Sequence, residues 1–211
     1  MHLKLTHSRY LGGGSADHVL AVREPAAGTY DSASAKRIAD RVARGYRPEV
    51  LDLGVLSGPT VSNFLEMGAK VHVYDVITPL RRLPAGTAPD VESLFKELKL
   101  LPESLDVVLA WELMDFLPMP EARMAAQRLA RWLKPKGLIL AVFHTTSADQ
   151  VHRFRMLPGD RIQMEPAGPL PEPCPARTNN EALSLFSGFT LLHSALTRTQ
   201  VREVLGQRND G

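Results

Sequence analysis

The sequence has little that would support a disulfide-rich, membrane-spanning or strongly charged protein. Among 211 residues there is one cysteine, Cys174, which has no partner for a disulfide within the chain and so predicts a reducing, cytoplasmic environment. No apolar run approaches the roughly 18 residues of a membrane span, and the first residues lack the apolar stretch of a signal peptide. The formal net charge is +2, so charge alone gives no argument for nucleic acid.

The composition is that of an ordinary globular protein. Hydrophobic residues make up 44% of the chain and charged residues 23%, which is enough apolar material for a real core. Residues 1–30 are turn-rich and contain Gly12-Gly13-Gly14, so we expect an N-terminal arm there. Residues 31–211 then form the remaining domain.

The most informative stretch is an apolar strand that ends in a glycine turn. Residues 50–58 read Val-Leu-Asp-Leu-Gly-Val-Leu-Ser-Gly, and Pro59 suits the first turn of a following helix. A second apolar strand over residues 70–74 stops on Asp75, about twenty residues after the turn. This order of strand, glycine turn, helix and acid is typical of a unit that holds a nucleotide-like cofactor.

Each of these residue types has a physical reason. Gly54 and Gly58 leave space where a Cβ would otherwise block a ligand, and the helix N-terminus offers free N–H groups. Asp75 can accept hydrogen bonds from two ribose hydroxyls. A nicotinamide or flavin site requires G-x-G-x-x-G, and here Leu56 and Pro59 replace two of its three glycines.

Further along the chain, strands and helices alternate. We expect strands at 49–53, 70–74, 105–110 and 138–143, helices at 31–44, 59–68, 121–133 and 178–186, and a closing antiparallel pair at 189–193 and 199–205. Residues 76–104 are broken by prolines and show no clear strand. Residues 144–177 are polar and proline-rich, and we interpret them as a lid or substrate-side insertion. The alternation predicts an α/β three-layer sandwich over a mostly parallel Rossmann-like sheet, with an antiparallel final strand.

At this point the chain resembles the class I S-adenosylmethionine-dependent methyltransferases, over about residues 35–205. The acid and two glycines of the turn, within residues 52–58, are similar to the family's D-x-G-x-G-x-G pattern, with Leu56 in place of the middle glycine. Residues 105–110 look like its fourth strand, residues 128–137 like its R-x-L-K-P-G-G segment, and residues 178–189 like the helix before strand six.

The resemblance implies a cofactor and a set of roles. The cofactor is S-adenosyl-L-methionine, with its methionine end held by the turn from Asp52 through Gly54 to Gly58, and its ribose held by Asp75. Trp111 borders the cofactor and the substrate. The implied function is methyl transfer to a small-molecule acceptor. An alternative is a non-catalytic binding or scaffold domain that has lost the cofactor, because Leu56 replaces the glycine with the closest cofactor contact.

Catalysis by in-line displacement rests mainly on positioning, and candidate general bases are Glu112, Asp115 and His144. Glu112 and Asp115 can equally cap the next helix, and His144 can be a structural histidine. Asp75 can cap the next turn, and Asp52 can be a buried acid bonded to loop N–H groups.

Two further kinds of site are weighed and set aside. The basic residues His152, Arg153, Arg155 and Arg161 lie in the insertion and make an RNA-modifying methyltransferase a third and weaker option. Phe154 is the single aromatic residue among them, which favours a solvated loop over an RNA contact. No Cys/His group has zinc-ligand spacing, so the sequence predicts no metal site.

Overall fold

The computed structural model describes residues 28–84, 86–87 and 89–210. Within them the strands are β1 (Gly28–Asp31), β2 (Glu49–Asp52), β3 (Lys70–Val73), β4 (Leu105–Trp111), β5 (Leu133–His144), β6 (Ala148–Leu157), β7 (Arg161–Cys174), β8 (Phe189–Leu196) and β9 (Val201–Arg208). The helices are α1 (Ala33–Arg44), α2 (Gly58–Glu66), α3 (Ile77–Arg81), α4 (Val91–Leu94), α5 (Met119–Trp132) and α6 (Asn179–Ser184).

Six strands form the main sheet in the order β3-β2-β4-β5-β9-β8. The first four are parallel to one another, while β9 runs antiparallel to both β5 and β8. The predicted α/β sheet with an antiparallel strand near its end is therefore confirmed. Because β2, β3 and β4 are parallel, all three strands end at the same edge of the sheet. The residues that follow them therefore meet at this carboxyl edge, where open α/β sheets bind ligands.

Local sequence accounts for the ends of the helices. Ser32 caps α1 and accepts a hydrogen bond from the Ala35 amide at 3.0 Å. Ser57 caps α2 in the same way, with Pro59 in the first turn of that helix. Strand β4 is buried along its whole length, as its continuous apolar sequence predicts.

Residues 76–104 hold no strand in the described part of the chain. They contain only the short helices α3 and α4, and β3 is left as an edge of the main sheet. The helical pattern of the sequence continues past α4 to Leu101, but α4 ends at Leu94 and Leu101 is 75% exposed. Prolines and turns thus limit this crossover to two single helical turns.

The proline-rich insertion at 144–177 is a long β-hairpin rather than an irregular loop. Strands β6 and β7 pair antiparallel, and β1 adds to the other side of β7. The β1 pairing covers only residues 161–164, so the prolines from Pro166 onward lie beyond it, on an open edge of β7. Proline lacks an N–H group and is tolerated where a strand has no neighbour on that side. These prolines conceal the alternating pattern in the sequence.

Apolar side chains cover both faces of the main sheet. One cluster joins the sheet to α3, α4, α5 and α6, and includes Leu51, Phe143 and Phe186. The other joins it to α1, α2 and the hairpin, and includes Trp111 and Phe154. The hairpin therefore belongs to the core of the domain and packs over the carboxyl edge of the sheet.

Most of the predicted N-terminal arm, residues 1–27, lies outside the described residues, and residues 28–30 belong to β1. In the described residues, no helix combines the length and apolar character needed to cross a bilayer.

Candidate cofactor and acid–base site

The glycine turn after β2 is in contact with a tryptophan. The indole Nε1 of Trp111 donates a hydrogen bond to Asp52 Oδ1 at 2.7 Å, and the Gly54 amide donates to the same oxygen at 3.1 Å. A Cβ on Gly54 would lie 2.4 Å from Trp111 Cδ1. Gly54 is therefore required here because the indole ring occupies the space in front of its Cα.

Trp111 is held in this position from three sides. It ends β4 at a positive φ of 47°, a conformation that is uncommon for a bulky residue. Its ring stacks on Phe154 of β6, with ring centroids 5.0 Å apart and planes 6° apart. With Asp52 bonded to its Nε1, the Trp111 side chain is only 1% exposed.

The hairpin is also fixed to helix α2. The Met156 amide of β6 donates to Thr60 Oγ1 at 3.0 Å, and Asn63 Nδ2 donates to the Met156 carbonyl oxygen at 3.2 Å. Both polar groups of this backbone position are thus satisfied by the first turns of α2. The hairpin consequently covers the beginning of the helix that the sequence predicts to face the cofactor.

Other predicted cofactor residues have different surroundings. A Cβ added to Gly58 would meet no atom within 4 Å, so the front face of this glycine is open. Leu56 is 60% exposed and does not fill the cleft. Asp75 lies two residues before α3 and bonds to its first turn: its Oδ1 accepts from the Thr78 amide at 2.8 Å and its Oδ2 from Thr78 Oγ1 at 2.6 Å.

The three candidate bases come together in a buried cluster beside Trp111. Glu112 and His144 are 0% and 2% exposed, and Asp115 is 5% exposed. Asp115 Oδ2 lies 2.9 Å from His144 Nδ1 and also accepts from the His144 amide at 2.6 Å. Glu112 Oε1 accepts from the His152 amide at 2.6 Å, and Glu112 Oε2 lies 3.2 Å from His152 Nδ1. Asp115 is therefore paired with His144, and Glu112 lies within reach of both histidines, since its Oε2 is also 3.4 Å from His144 Nε2.

The electrostatics of the cluster follow from its burial. Burial raises the pKa of Glu112, against the lowering effect of its bond to His152 and of the nearby histidines. Burial lowers the pKa of His144, but the bond to Asp115 and the charges of both carboxylates outweigh it, so that pKa is raised. Burial also raises the pKa of Asp52 to about 6, although the Gly54 and Trp111 bonds oppose the change.

His152 is the member of the cluster that the sequence interpretation misplaces. The sequence groups it with three arginines in a solvated loop, whereas it is 1% exposed and faces the site. His152 alternates with Phe154 and Met156 along β6, and all three are buried, so they share the face of the strand that is turned to the site. Val151 is also buried, but it belongs to the apolar cluster on the other side. Because both faces of β6 are covered at this point, and arginines follow at the next positions, the sequence reads as a solvated basic stretch.

Arg177 fixes the turn that carries Asp115. Its Nε and one terminal nitrogen donate to the Met114 carbonyl oxygen at 3.0 and 2.7 Å, and Nε lies 3.8 Å from Asp115 Oδ1. Among the basic residues of the hairpin, Arg155 is paired with Glu165 at 2.6 Å.

The chain is similar to known proteins both in sequence and in fold. Residues 51–141 match the family described as "Methyltransferase domain", and no curated protein sequence matches the chain. The 1,6-didemethyltoxoflavin-N1-methyltransferase of Burkholderia thailandensis, solved with 1,6-didemethyltoxoflavin and S-adenosylhomocysteine, is 20% identical, with 85% of this chain and 80% of that chain covered and a TM-score of 0.50.

Two further solved structures are similar in fold. An S-adenosylmethionine-dependent methyltransferase from Mesorhizobium loti is 16% identical, covering 82% of this chain and 98% of that chain, with a TM-score of 0.51. One from Methanosarcina mazei is 15% identical, covering 79% and 95%, with a TM-score of 0.51. At these identities the structural likeness establishes the fold, and the family match over residues 51–141 identifies a methyltransferase domain.

Proposed function

We propose that this chain is a class I S-adenosylmethionine-dependent methyltransferase and that it transfers the methyl group of S-adenosylmethionine to a small-molecule acceptor. The observation that carries the proposal is the methyltransferase-domain match over residues 51–141, which spans the glycine turn, Asp75 and Trp111. These residues follow β2, β3 and β4 at one edge of the sheet. Class I enzymes hold their cofactor at that edge.

The adenosine side of the site suits this cofactor. Asp75 uses one lone pair of each oxygen for Thr78, and a carboxylate oxygen has a second lone pair for a ribose hydroxyl. Gly58 leaves its front face free for close approach of a ligand. Bound here, S-adenosylmethionine would supply an activated methyl group, and the protein would contribute position and orientation.

The methionine side does not fit in the arrangement described. The Trp111 indole lies in the space in front of Gly54 and takes up Asp52 Oδ1. A methionine moiety and this ring cannot share that volume. The proposed activity therefore depends on a second position for the Trp111 side chain.

A small-molecule acceptor is supported by analogy. The net charge is only +2 and Arg155 is paired with Glu165, so charge gives no specific argument for RNA over a small molecule. The Burkholderia thailandensis enzyme acts on 1,6-didemethyltoxoflavin, a small molecule, and this is an argument from fold similarity alone. Among Glu112, Asp115 and His144, the pairing with Asp115 makes His144 the group suited to hold a proton at Nε2. A cytoplasmic location, proposed from the lone Cys174, fits this function.

The test of the proposal is whether S-adenosylhomocysteine raises the melting temperature of the protein. A ligand that binds only the native state at 100 times its Kd stabilises it by about 2.7 kcal/mol. We expect a concentration-dependent rise for the unaltered protein and a smaller one for Asp75→Ala. Glu66→Ala, on the exposed face of α2, is the matched control and should respond like the unaltered protein. No rise at millimolar ligand would contradict the proposal.

The contact between Trp111 and Gly54 favours a second candidate function. In it, the domain keeps the methyltransferase fold and serves as a binding or scaffold module, because its own side chain occupies the methionine position. Two observations support it: the ring is 1% exposed, and it stacks on Phe154 of the covering hairpin.

Trp111→Ala distinguishes the two candidates. If the unaltered protein shows no thermal response to S-adenosylhomocysteine while Trp111→Ala does, the indole excludes the cofactor and the scaffold function is supported. If the unaltered protein responds and transfers a methyl group, the scaffold function is wrong. Isothermal calorimetry with both proteins gives the two affinities directly.

A further inference from the structure

Three ligand-type atoms converge beside the glycine turn. Glu112 Oε2, His144 Nε2 and His152 Nδ1 are separated by 3.2 Å, 3.3 Å and 3.4 Å, so they form a nearly equilateral triangle. All three residues are at most 2% exposed. The three atoms can bind one ion in common.

The size of the triangle corresponds to a tetrahedral ion. With bonds of about 2.0–2.1 Å to nitrogen and oxygen, a tetrahedral Zn²⁺ separates its ligand atoms by about 3.3–3.4 Å. An octahedral Mg²⁺ with bonds of about the same length would hold them about 2.9 Å apart, and it prefers oxygen over imidazole. Two imidazoles and one carboxylate are a ligand set that zinc accepts, with a fourth position for water or another ligand.

Hydrogen bonds from neighbouring groups orient two of the three ligands, His144 and Glu112. Asp115 Oδ2 accepts from His144 Nδ1, which places the His144 lone pair on Nε2, facing the triangle. Glu112 Oε1 is held by the His152 amide, so Oε2 is the oxygen left to point inward. Both are the arrangements that a metal-binding histidine and carboxylate require.

Charge also points to a cation. With His144 neutral, as a metal ligand must be, Glu112 and Asp115 bring two negative charges into a buried site, and Arg177 offers one positive charge at 3.8 Å from Asp115. Buried charges that are not balanced are unfavourable. With lone pairs of Glu112 and His144 facing the same point, a positive species at the centre of the triangle is needed to offset their repulsion.

We propose that Glu112, His144 and His152 bind Zn²⁺ in a structural site that joins the hairpin to the carboxyl edge of the sheet. The three ligands come from the turn after β4, the end of β5 and the middle of β6. The ion thus connects the covering strand to two core strands, next to the Phe154–Trp111 stack. The zinc site uses neither Asp75 nor the face of Gly58, but it occupies Nε2 of His144, so with zinc bound this histidine takes no proton and methyl transfer rests on positioning alone.

Sequence patterns do not detect this site, because its ligands lie on separate segments of the chain. Glu112 and His144 are far apart in the chain, and His152 lies among arginines on a strand that the sequence does not reveal. Short zinc motifs depend on ligands from one turn or one helix, whereas these ligands come from the turn after β4, the end of β5 and the middle of β6. The sequence expectation of no metal site rests on spacing alone.

The experiment uses the full chain, purified without a polyhistidine tag. Metal content is measured by plasma mass spectrometry after dialysis, and chelator-treated protein is titrated with ZnCl₂. We expect one zinc per chain, and a melting temperature that rises by roughly 5–10 °C at 100 times the Kd. Co²⁺ in place of zinc should give the intense visible bands of a tetrahedral site.

Matched variants identify the ligands. His152→Ala and Glu112→Gln should each lose the stoichiometric zinc, whereas His193→Ala, on edge strand β8, should keep it. Glu112→Gln retains the shape and the hydrogen bond to the His152 amide, so it serves if His152→Ala does not fold. Circular dichroism verifies the fold of each variant.

The alternative is that a proton, rather than a metal ion, is shared within the triangle. In that case the purified protein contains no zinc, ZnCl₂ leaves the melting temperature unchanged, and Co²⁺ gives no tetrahedral spectrum. The proposal is also overturned if His152→Ala and Glu112→Gln fold and bind as much zinc as His193→Ala. Neither result depends on S-adenosylmethionine, so the test is separate from that of the proposed function.

Discussion

The indole Nε1 of Trp111 donates a 2.7 Å hydrogen bond to the buried carboxylate of Asp52, across two neighbouring parallel strands. This bond lays the indole against Gly54, so the turn that predicts a cofactor is packed against the protein's own side chain. The Asp52–Trp111 pair therefore affects three properties: the stability of the protein, the pH dependence of that stability, and the access of a ligand to the glycine turn.

Trp111→Phe should destabilise the protein by about 1.5–3 kcal/mol near neutral pH, since it removes a hydrogen bond to a charged, buried acceptor. Urea unfolding followed by circular dichroism measures the loss. Trp132→Phe is a matched control, because Trp132 is also buried but its indole makes no hydrogen bond in the described part of the chain. An equal loss in both variants would mean that the bond to Asp52 contributes nothing beyond packing.

Asp52→Asn should change how stability depends on pH. The pKa of Asp52 rises from 3.8 to about 6 on folding, so the carboxyl binds its proton more tightly in the folded protein. Its contribution to stability is therefore fully present below pH 3.8 and is lost as the pH rises through about 6, a total of roughly 3 kcal/mol.

Asparagine keeps an oxygen for Gly54 and Trp111 but cannot ionise. The free energy of unfolding of Asp52→Asn minus that of the unaltered protein should therefore increase with pH, mostly between about pH 4 and pH 7. Denaturant titrations at several pH values give this difference, in which other groups cancel. A difference that stays constant with pH would show that Asp52 has an ordinary pKa.

The two glycines of the turn should respond differently to alanine. Gly54→Ala places a methyl group 2.4 Å from Trp111 Cδ1 and should destabilise the fold by about 1–3 kcal/mol or more, because Asp52 and Phe154 hold the ring in place. Gly58→Ala meets no atom within 4 Å and lies in the first turn of α2. It should be neutral or stabilise the protein by up to about 1 kcal/mol.

The same substitution in a Trp111→Ala protein tests why Gly54→Ala destabilises the fold. In a Trp111→Ala protein the added methyl group has no ring to meet, so Gly54→Ala should cost clearly less there. Thermal unfolding of the four proteins gives the coupling energy. Additive effects would show that Gly54 is needed for its backbone and not for the indole.

Thr60→Val should loosen the hairpin from α2. The change keeps the shape of the side chain but leaves the buried Met156 amide without its acceptor, which costs about 1–3 kcal/mol. Hydrogen exchange of the Met156 amide should accelerate. Thr190→Val is the control, because Thr190 Oγ1 bonds only the exposed Asn209 side chain. Unchanged exchange at Met156 in Thr60→Val would contradict the proposed attachment.

Much of the fold is readable from the residues themselves. The caps Ser32 and Ser57 reflect local preferences at the start of a helix. The continuous apolar run of β4 predicts a strand that is buried on both faces, and periodicity reveals it and the order of the other strands. The antiparallel pair at the end is predicted for the same reason. The crossover at 76–104 is recognised as irregular because its prolines are visible in the sequence.

The hairpin and the site are less accessible to sequence patterns. Prolines hide the strand character of β7, since whether a proline is tolerated depends on which edge of a strand is paired. The sequence names Glu112 and Asp115 after β4 and, separately, His144 at the end of β5 as candidates, but it assigns His152 to a solvated loop. His152 faces inward with Phe154 and Met156 because β6 packs over the sheet, and that packing is a property of the tertiary structure.

By itself, the sequence determined the sheet, the glycine turn and the placement of an acid after β3, because these depend on periodicity and on backbone conformations that few residues allow. Only the tertiary structure decided what lies against Gly54, and which histidine meets Glu112. Those contacts join residues from β2, β4, β5 and β6, and a contact between distant segments depends on side-chain packing that no local pattern records.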